Sequence, residues 1–398
     1  MFFAFVYIIV PLVYYYVGKR LIEPAAFSAG KKAVAWLIVL IFFLLPYSAR
    51  TIRRFDVSAP WMEILLNIGY ISLGFFGILF ITLLTRDFIL SLVLLLRKMG
   101  KAFEKFTGKD PRGTKLPQDM ERRRFLVHTS NLGLLALSGG ITGYGIHEAA
   151  SLPEIVRVSV PLKNLPGDLE GFRIVQITDL HVGPTIKGKY VRGVVRVANE
   201  LEPDLLAITG DLVEGRPGTL RRDVASLSDL QAKSGKLFVT GNHEYYHGVK
   251  DWLKEMQLLG FQVLMNEHLI IERGSSRLLV AGVPDLRAHS FDPNHAPDLK
   301  RTMKDAPDYH TGILLAHRPR AIFESSRQGF DLQLSGHTHG GQIYPFKYMV
   351  RLREPYISGL HRHLKTWIYV SRGAGFWGPP MRVGAPAEVT EITLIKAV

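Results

Sequence analysis

Hydrophobic and polar positions follow two different patterns along this chain. Up to about residue 150 the apolar positions run in long blocks. Residues 1–18, 33–49 and 64–85 carry no Asp, Glu, Lys, Arg or His, and residues 125–146 hold only His128 of that set. Each block approaches the ~20 residues a helix needs to cross a bilayer core, so four membrane-spanning helices are expected. The run Phe88–Leu96 is too short to cross alone and is expected to extend the third helix along the membrane surface.

From about Ser151 the blocks shorten. Phe172–Thr178, Asp204–Thr209, Lys236–Thr240, Arg277–Gly282, Gly312–Ala316 and Phe330–Leu334 read as buried strands. Tyr190–Glu200, Leu220–Gln231, Asp251–Leu259 and Arg320–Ser326 read as helices, and Trp367–Ser371 and Val389–Ile395 add late strands. Alternation of this kind predicts an α/β layered domain.

A length of 398 residues leaves room for a sizeable core and more than one region. The formal net charge of +14 invites a nucleic-acid reading, but its distribution argues against one. Residues 1–150 hold 18 basic and 9 acidic residues, and the remaining 248 hold 31 and 26. The excess therefore clusters among the apolar blocks, where flanking Lys and Arg set orientation, and no nucleic-acid partner is expected. The stretch 97–124 has ten basic residues against four acids and should be cytoplasmic. Lys19, Arg20, Lys31 and Lys32 put the first loop on the same side, so everything after Ala150 should lie outside. Arg50, Arg53 and Arg54 would then face outward, against the rule. Arg122-Arg123-Arg124-Phe125-Leu126 resembles a twin-arginine export signal. Its internal position favours a plain topology anchor, and both readings give the same orientation. There is no cysteine, so any metal must sit among nitrogen and oxygen ligands.

The strand ends carry the chemistry. Phe172–Thr178 runs into Asp179-Leu180-His181, and Asp204–Thr209 into Gly210-Asp211. Lys236–Thr240 ends in Gly241-Asn242-His243-Glu244, Gly312–Ala316 in His317, and Phe330–Leu334 runs on to Gly336-His337-Thr338-His339-Gly340-Gly341-Gln342. Ligands gather at the carboxyl ends of strands in α/β sheets, so these groups should converge. A carboxylate can bridge two cations, imidazoles suit borderline metals, and an Asn carbonyl ligates without adding charge. Glycines before Asp211 and Asn242 and after His339 let the backbone approach closely.

This order of motifs resembles the calcineurin-like metallophosphoesterase superfamily, whose pattern is Asp-x-His, Gly-Asp, Gly-Asn-His-[Asp/Glu], His and Gly-His-x-His. The run from Leu169 to His181 and the Gly336–Gln342 run resemble its exported, membrane-associated bacterial branch, and the likeness covers about residues 154–398. The resemblance implies a layered metallophosphoesterase fold, a central β-sandwich flanked by helices; it does not cover the leading apolar blocks, which on their own place an α-helical transmembrane region before it. Residues 1–124 would form a membrane region with about three helices and a basic cytoplasmic segment, 125–150 a fourth helix, and 151–398 the calcineurin-like domain. It implies two divalent metal ions, of Mn, Fe or Zn type. Asp179, His181 and His339 would bind the first, Asn242, His317 and His337 the second, and Asp211 both. His243 would stabilise the phosphoryl transition state or protonate the leaving oxygen, while a water shared by the metals attacks phosphorus.

Glu244 is expected to support the site rather than react, and His247 could line it. Arg372, Phe376, Trp377 and Arg382 lie in or beside a Gly/Pro-rich tail, Gly373–Pro386, which could shape a substrate mouth but reads first as an ordinary loop, and His361 and His363 are read as surface residues. The function these features imply is a membrane-anchored phosphomonoesterase or phosphodiesterase of the inner membrane, multi-pass, with its domain on the periplasmic side. Its partners would be the bilayer and a lipid or envelope phosphate; the sequence identifies no protein partner. Some relatives resemble the UDP-2,3-diacylglucosamine pyrophosphatases of lipid A biosynthesis, a cytoplasmic role that the orientation disfavours. A membrane scaffold with a structural metal site is the reading from another class, and it has no use for His243.

Overall fold

A computed structural model describes residues 2–53, 60–107 and 120–397. The chain divides into two compact units, Met1–Tyr144 and Gly145–Val398.

The first unit is helical. It comprises α1 (Phe2–Ile22), α2 (Ala29–Arg53), α3 (Pro60–Phe106) and most of α4 (Met120–Ala150). Over Ala29–Tyr47 and Trp61–Phe103 the helices are long and apolar enough to cross a membrane. Of the other two expected crossings, residues 2–18 fall in α1 and 125–146 in α4, and neither helix meets that measure over its described residues. The run Phe88–Leu96 continues α3, which at 47 residues reaches about 70 Å. Of the basic stretch 97–124, residues 108–119 lie outside the described residues, as does Arg54. Tyr14 stacks on Phe76 at 4.2 Å inside this unit, among buried Val17, Leu79 and Leu83. Polar groups tie the helices at one level. Asp87 accepts from Tyr16 Oη and pairs with Arg20 Nε, both at 2.6 Å. Arg86 donates to Asn131 Oδ1, and Asn131 Nδ2 donates to the carbonyl of Arg20.

The second unit holds two six-stranded sheets. One runs β1 (Glu154–Leu162), β12 (Glu388–Lys396), β2 (Arg173–Ile177), β3 (Leu205–Ile208), β4 (Lys236–Phe238), β5 (Gln262–Val263). The other runs β10 (Gly359–His363), β11 (Thr366–Val370), β9 (Leu332–Ser335), β8 (Thr311–Leu315), β7 (Ser276–Gly282), β6 (Glu267–Arg273). Strands β2 to β5 are parallel, as are β7, β8, β9 and β11. Leu205, Ala207 and Leu237 of the first sheet pack against Leu278, Ile313, Leu332 and Tyr369 of the second, all buried. Each fully buried Leu or Ile contributes about 1.5–3 kcal/mol of hydrophobic stabilisation. On the outer face of the first sheet lie α5 (Gly188–Asn199), α6 (Pro217–Val224) and α8 (Val249–Leu258), with Val194, Leu220, Trp252 and Met256 turned inward, while the short α7 (Asn242–Tyr246) follows β4. The second sheet is backed by α9 (Leu299–Thr302) and α10 (Ile322–Gln328), with Ile322 packed on Ile368 and Val370; α11 (Lys347–Arg351) buries no residue and lies beside the turn His339–Gly341.

The fold is thus the sandwich flanked by helices that the sequence implied. The helix expected over Leu220–Gln231 ends at Val224 and tightens into a 3₁₀ turn over Ala225–Asp229. The Ser228 hydroxyl donates to the Ala225 carbonyl there at 2.8 Å, the local competition by which Ser ends helices.

Candidate active site

Every sequence-predicted ligand follows the carboxyl end of a parallel strand. Asp179 and His181 follow β2, Asp211 follows β3, Asn242 and His243 open α7 after β4, His317 follows β8, and His337 and His339 follow β9. The backbone there is unusual. Asp179, His181, Asp211, His337 and His339 all have positive φ, between 51° and 73°. Asp and His tolerate this region better than most residues, but such strain costs on the order of 1–3 kcal/mol where it is not relieved. Cross-strand bonds hold it: the Asp179 amide donates to Gly210 O at 3.0 Å and that of His181 to Asp211 O at 3.2 Å. Two glycines are needed for the approach. A Cβ on Gly241 would lie 2.1 Å from Asp211 Oδ1, and one on Gly336 2.2 Å from Asp179 Oδ2.

The side chains converge into two neighbouring groups of donors. In the first, His181 Nε2 and His339 Nε2 face each other at 3.0 Å, and Asp179 Oδ1 lies 3.4 Å from His339 Nε2. In the second, Asp211 Oδ2 lies 3.1 Å from His317 Nε2, which faces His337 Nδ1 at 3.2 Å. Asp211 also groups with His181 and His243, so it stands between the two. All are buried except His337, which is partly so. Facing ring nitrogens beside carboxylate oxygens, all desolvated, form a donor set that fits divalent cations.

The remaining atoms of these ligands are held by the protein, as metal sites require. The Nδ1–H of His317 donates to the Thr209 carbonyl at 2.8 Å, leaving Nε2 free to ligate. His181 Nδ1 meets Glu214 Oε1 at 2.9 Å. Thr178 Oγ1 donates to Asp179 Oδ2, and Asp179 accepts the His337 amide. Arg318, paired with Asp285 at 2.6 Å, donates to Asn242 Oδ1 at 2.7 Å and lies 2.8 Å from His337 Nε2. Glu244 gathers the amides of Gly241, Asp211 and Leu212 at 2.7, 3.1 and 2.8 Å, which makes it a brace for both loops.

The electrostatics suit the roles. Burial, with the Arg318 charge beside it, holds His337 well below the ordinary imidazole range, and burial with His181 and Arg382 does the same for His339. Both rings are therefore neutral, the form that ligates. Burial also opposes charge on His243, but Asp211 and Glu214 outweigh it and push its pKa up to about 9. A protonated His243 can donate to an oxyanion at neutral pH. Its Nδ1 approaches Glu214 Oε1 to 2.6 Å, and its Nε2 lies 3.9 Å from Asp211 Oδ2.

Several participants were not foreseen. Glu214 gathers His181, His243 and also His247, whose Nε2 lies 3.3 Å away; the signal was a carboxylate three positions after Asp211. Arg318 immediately follows a ligand. The tail Gly373–Pro386, read as an ordinary loop, is a structural part of the site. Arg382 is fully buried, donating to the carbonyls of Arg372, Gly373, Gly375 and Ala385, with Nη2 3.3 Å from His339 Nδ1. Trp377 lies edge-on to His243 at 6.0 Å. Arg372 pairs with Glu388 at 2.5 Å, and Phe376 is buried with Ile186. His361 and His363 stay outside the cluster, on β10, bonded to Ser358 O and Tyr356 Oη.

The calcineurin-like phosphoesterase family model matches residues 172–341. The chain is 31% identical over 396 residues to a zebrafish (Danio rerio) transmembrane protein with metallophosphoesterase domain, covering 96% of this chain and 86% of that one. It is 32% identical to an uncharacterized metallophosphoesterase of Campylobacter jejuni, covering 95% and 94%. A Helicobacter pylori metallophosphoesterase is likewise 32% identical, over 91% and 98%.

Proposed function

We propose that this chain, which belongs to the calcineurin-like metallophosphoesterase family, is a membrane-anchored phosphoesterase acting on a lipid or envelope phosphate. It is a metal-dependent hydrolase of phosphoester bonds by that membership. The finer reading rests on one observation: six donors from four strand ends, Asp179, His181, Asp211, His317, His337 and His339, meet in one cluster, with His243 and Glu214 at its edge. Asp179, His181 and His339 would hold one cation, Asn242, His317 and His337 a second, with Asp211 common to both. Nitrogen and oxygen donors without thiolate suit Mn, Fe or Zn. Such cations lower the pKa of water and neutralise phosphoryl oxygens.

The chain's own groups do the rest. His243 donates to the phosphoryl oxygen or the departing oxygen, with the Glu214 carboxylate beside its Nδ1 favouring the protonated ring. Thr209 and Glu214 orient His317 and His181 through their outer nitrogens.

In this reading residues 1–124 are the membrane region, 125–150 a fourth crossing and 151–398 the catalytic domain, on the periplasmic side of the inner membrane. The basic stretch 97–124, the apolar α2 and α3, and the name of the zebrafish relative support it. Purified full-length chain should hydrolyse bis(p-nitrophenyl) phosphate, lose activity on chelation and regain it with Mn, Fe or Zn. A metal-loaded chain that hydrolyses no phosphoester would return the molecule to a scaffold role.

A further inference from the structure

A surface next to the His339 turn has no part in this chemistry. From Tyr344 to Arg353 the chain reads Tyr-Pro-Phe-Lys-Tyr-Met-Val-Arg-Leu-Arg. Tyr344, Phe346, Tyr348, Met349 and Leu352 are exposed, Leu352 at 81%. Single exposed apolar residues are ordinary, whereas five within nine positions form a patch. Lys347, Arg351 and Arg353 are exposed among them, and the run contains no acid. The Nζ of Lys347 lies over the rings of Tyr344 and Tyr348 at 5.3 and 5.4 Å.

The patch is fastened to the site. A Cβ built on Gly341 would lie 2.5 Å from Lys347 Cα, so the start of α11 rests on the turn that carries His339. Lys347, Arg351 and Arg372 line a pocket of about 390 Å³ there, together with Gly340, Tyr348 and Ser358.

We propose that Tyr344–Arg353 is an interfacial docking element that seats the catalytic unit on an anionic lipid bilayer, with the Lys347–Arg351–Arg372 pocket taking a headgroup phosphate. Tyr and Phe suit the headgroup level, where a ring can be apolar on its face and polar at its tip, and Met349 and Leu352 supply the apolar depth. The three cations match an anionic leaflet. A second copy of the chain is a poorer occupant, because a two-fold contact would set these cations against their own equivalents. The proposal rests on the membrane anchoring above and goes beyond it: the helices tether the chain, whereas this element orients the site.

The chain has no cysteine, so introduced thiols are unique labelling positions. Full-length chain carrying Met349→Cys, or Leu258→Cys at an exposed position of α8 as a control, is labelled with an environment-sensitive fluorophore. It is placed in nanodiscs of phosphatidylglycerol or of phosphatidylcholine, with nitroxide lipid as quencher. In phosphatidylglycerol the label at 349 should shift to the blue and be quenched, and the label at 258 should not. Lys347→Gln with Arg351→Gln should lower the docked-to-undocked ratio roughly 25-fold, at about fivefold per basic residue near an anionic surface. That double variant should still enter discs and hydrolyse a small soluble diester normally. Absence of quenching at 349, or equal quenching at 258, would overturn the proposal. So would a blue shift in detergent that grows with protein concentration, which would assign the face to a second copy. Failure of the chain to enter discs would remove the anchoring reading and this proposal with it.

Discussion

His243 is where the chemistry can be separated from the metal site. Its Nδ1 lies 2.6 Å from Glu214 Oε1, and its Nε2 lies farther from Asp211 than the Nε2 of His317 does. His243→Ala should therefore keep its metals, while turnover falls by about 10²–10⁴. The fall should be smaller for a nitrophenyl ester, whose leaving oxygen needs little protonation. Metal loss in this variant would make His243 a ligand, a role its place beside His181 and Asp211 permits geometrically. Glu214→Gln removes the charge that orients His181 and His243 together. It should lower activity by roughly 10–100-fold, the usual cost of losing an outer partner of a metal site, and an unchanged rate would show that the contact is idle. The ligands themselves were legible because Asp, His and Asn stand at apolar strand ends beside glycine. Glu214 was not, and Arg382 was legible at most as part of a substrate mouth, not as a brace behind His339. A Glu three positions past a turn looks solvated, and an Arg in a Gly/Pro tail reveals its carbonyl partners only once the chain has folded.

Among elements, the eight strands visible in the sequence are the eight interior strands of the two sheets. The four that were missed, β1, β5, β6 and β10, are the four edges. An interior strand is covered on both sides and reads as a continuous apolar run. An edge strand has one free side, carries charge there, and β1 even admits Pro161. Asp204, at the start of β3, ties this layer together. It accepts the Arg173 amide and pairs with Lys233, both at 2.9 Å. Burial opposes its charge, but these partners outweigh burial and hold its carboxyl below the ordinary value. A depressed folded pKa adds stability above the unfolded pKa and loses it as pH falls through the folded one. Asp204→Asn should therefore unfold at lower denaturant than the parent at pH 7, and the gap should close below about pH 4. A gap independent of pH would mean that the amide bond, not the charge, is what the variant loses.

For the whole molecule, the distribution of charge predicts a topology that a fusion can test. A reporter active only outside the cytoplasm should work when fused after Val398 and fail when fused near Gly108, since Lys and Arg mark cytoplasmic loops. The reverse result would place catalysis in the cytoplasm and favour a nucleotide-linked lipid substrate.

The central claim is that one cluster of side chains holds two metals and hydrolyses phosphoesters with them. Asp211 groups with His317 and His337 on one side and with His181 and His243 on the other, so Asp211→Asn tests the claim most directly. Metal stoichiometry and diester turnover should be measured on the same preparation of full-length chain. The account predicts that metal content falls together with a turnover loss on the order of 10³, about 4 kcal/mol of transition-state stabilisation. Undiminished turnover with two metals still bound would contradict it.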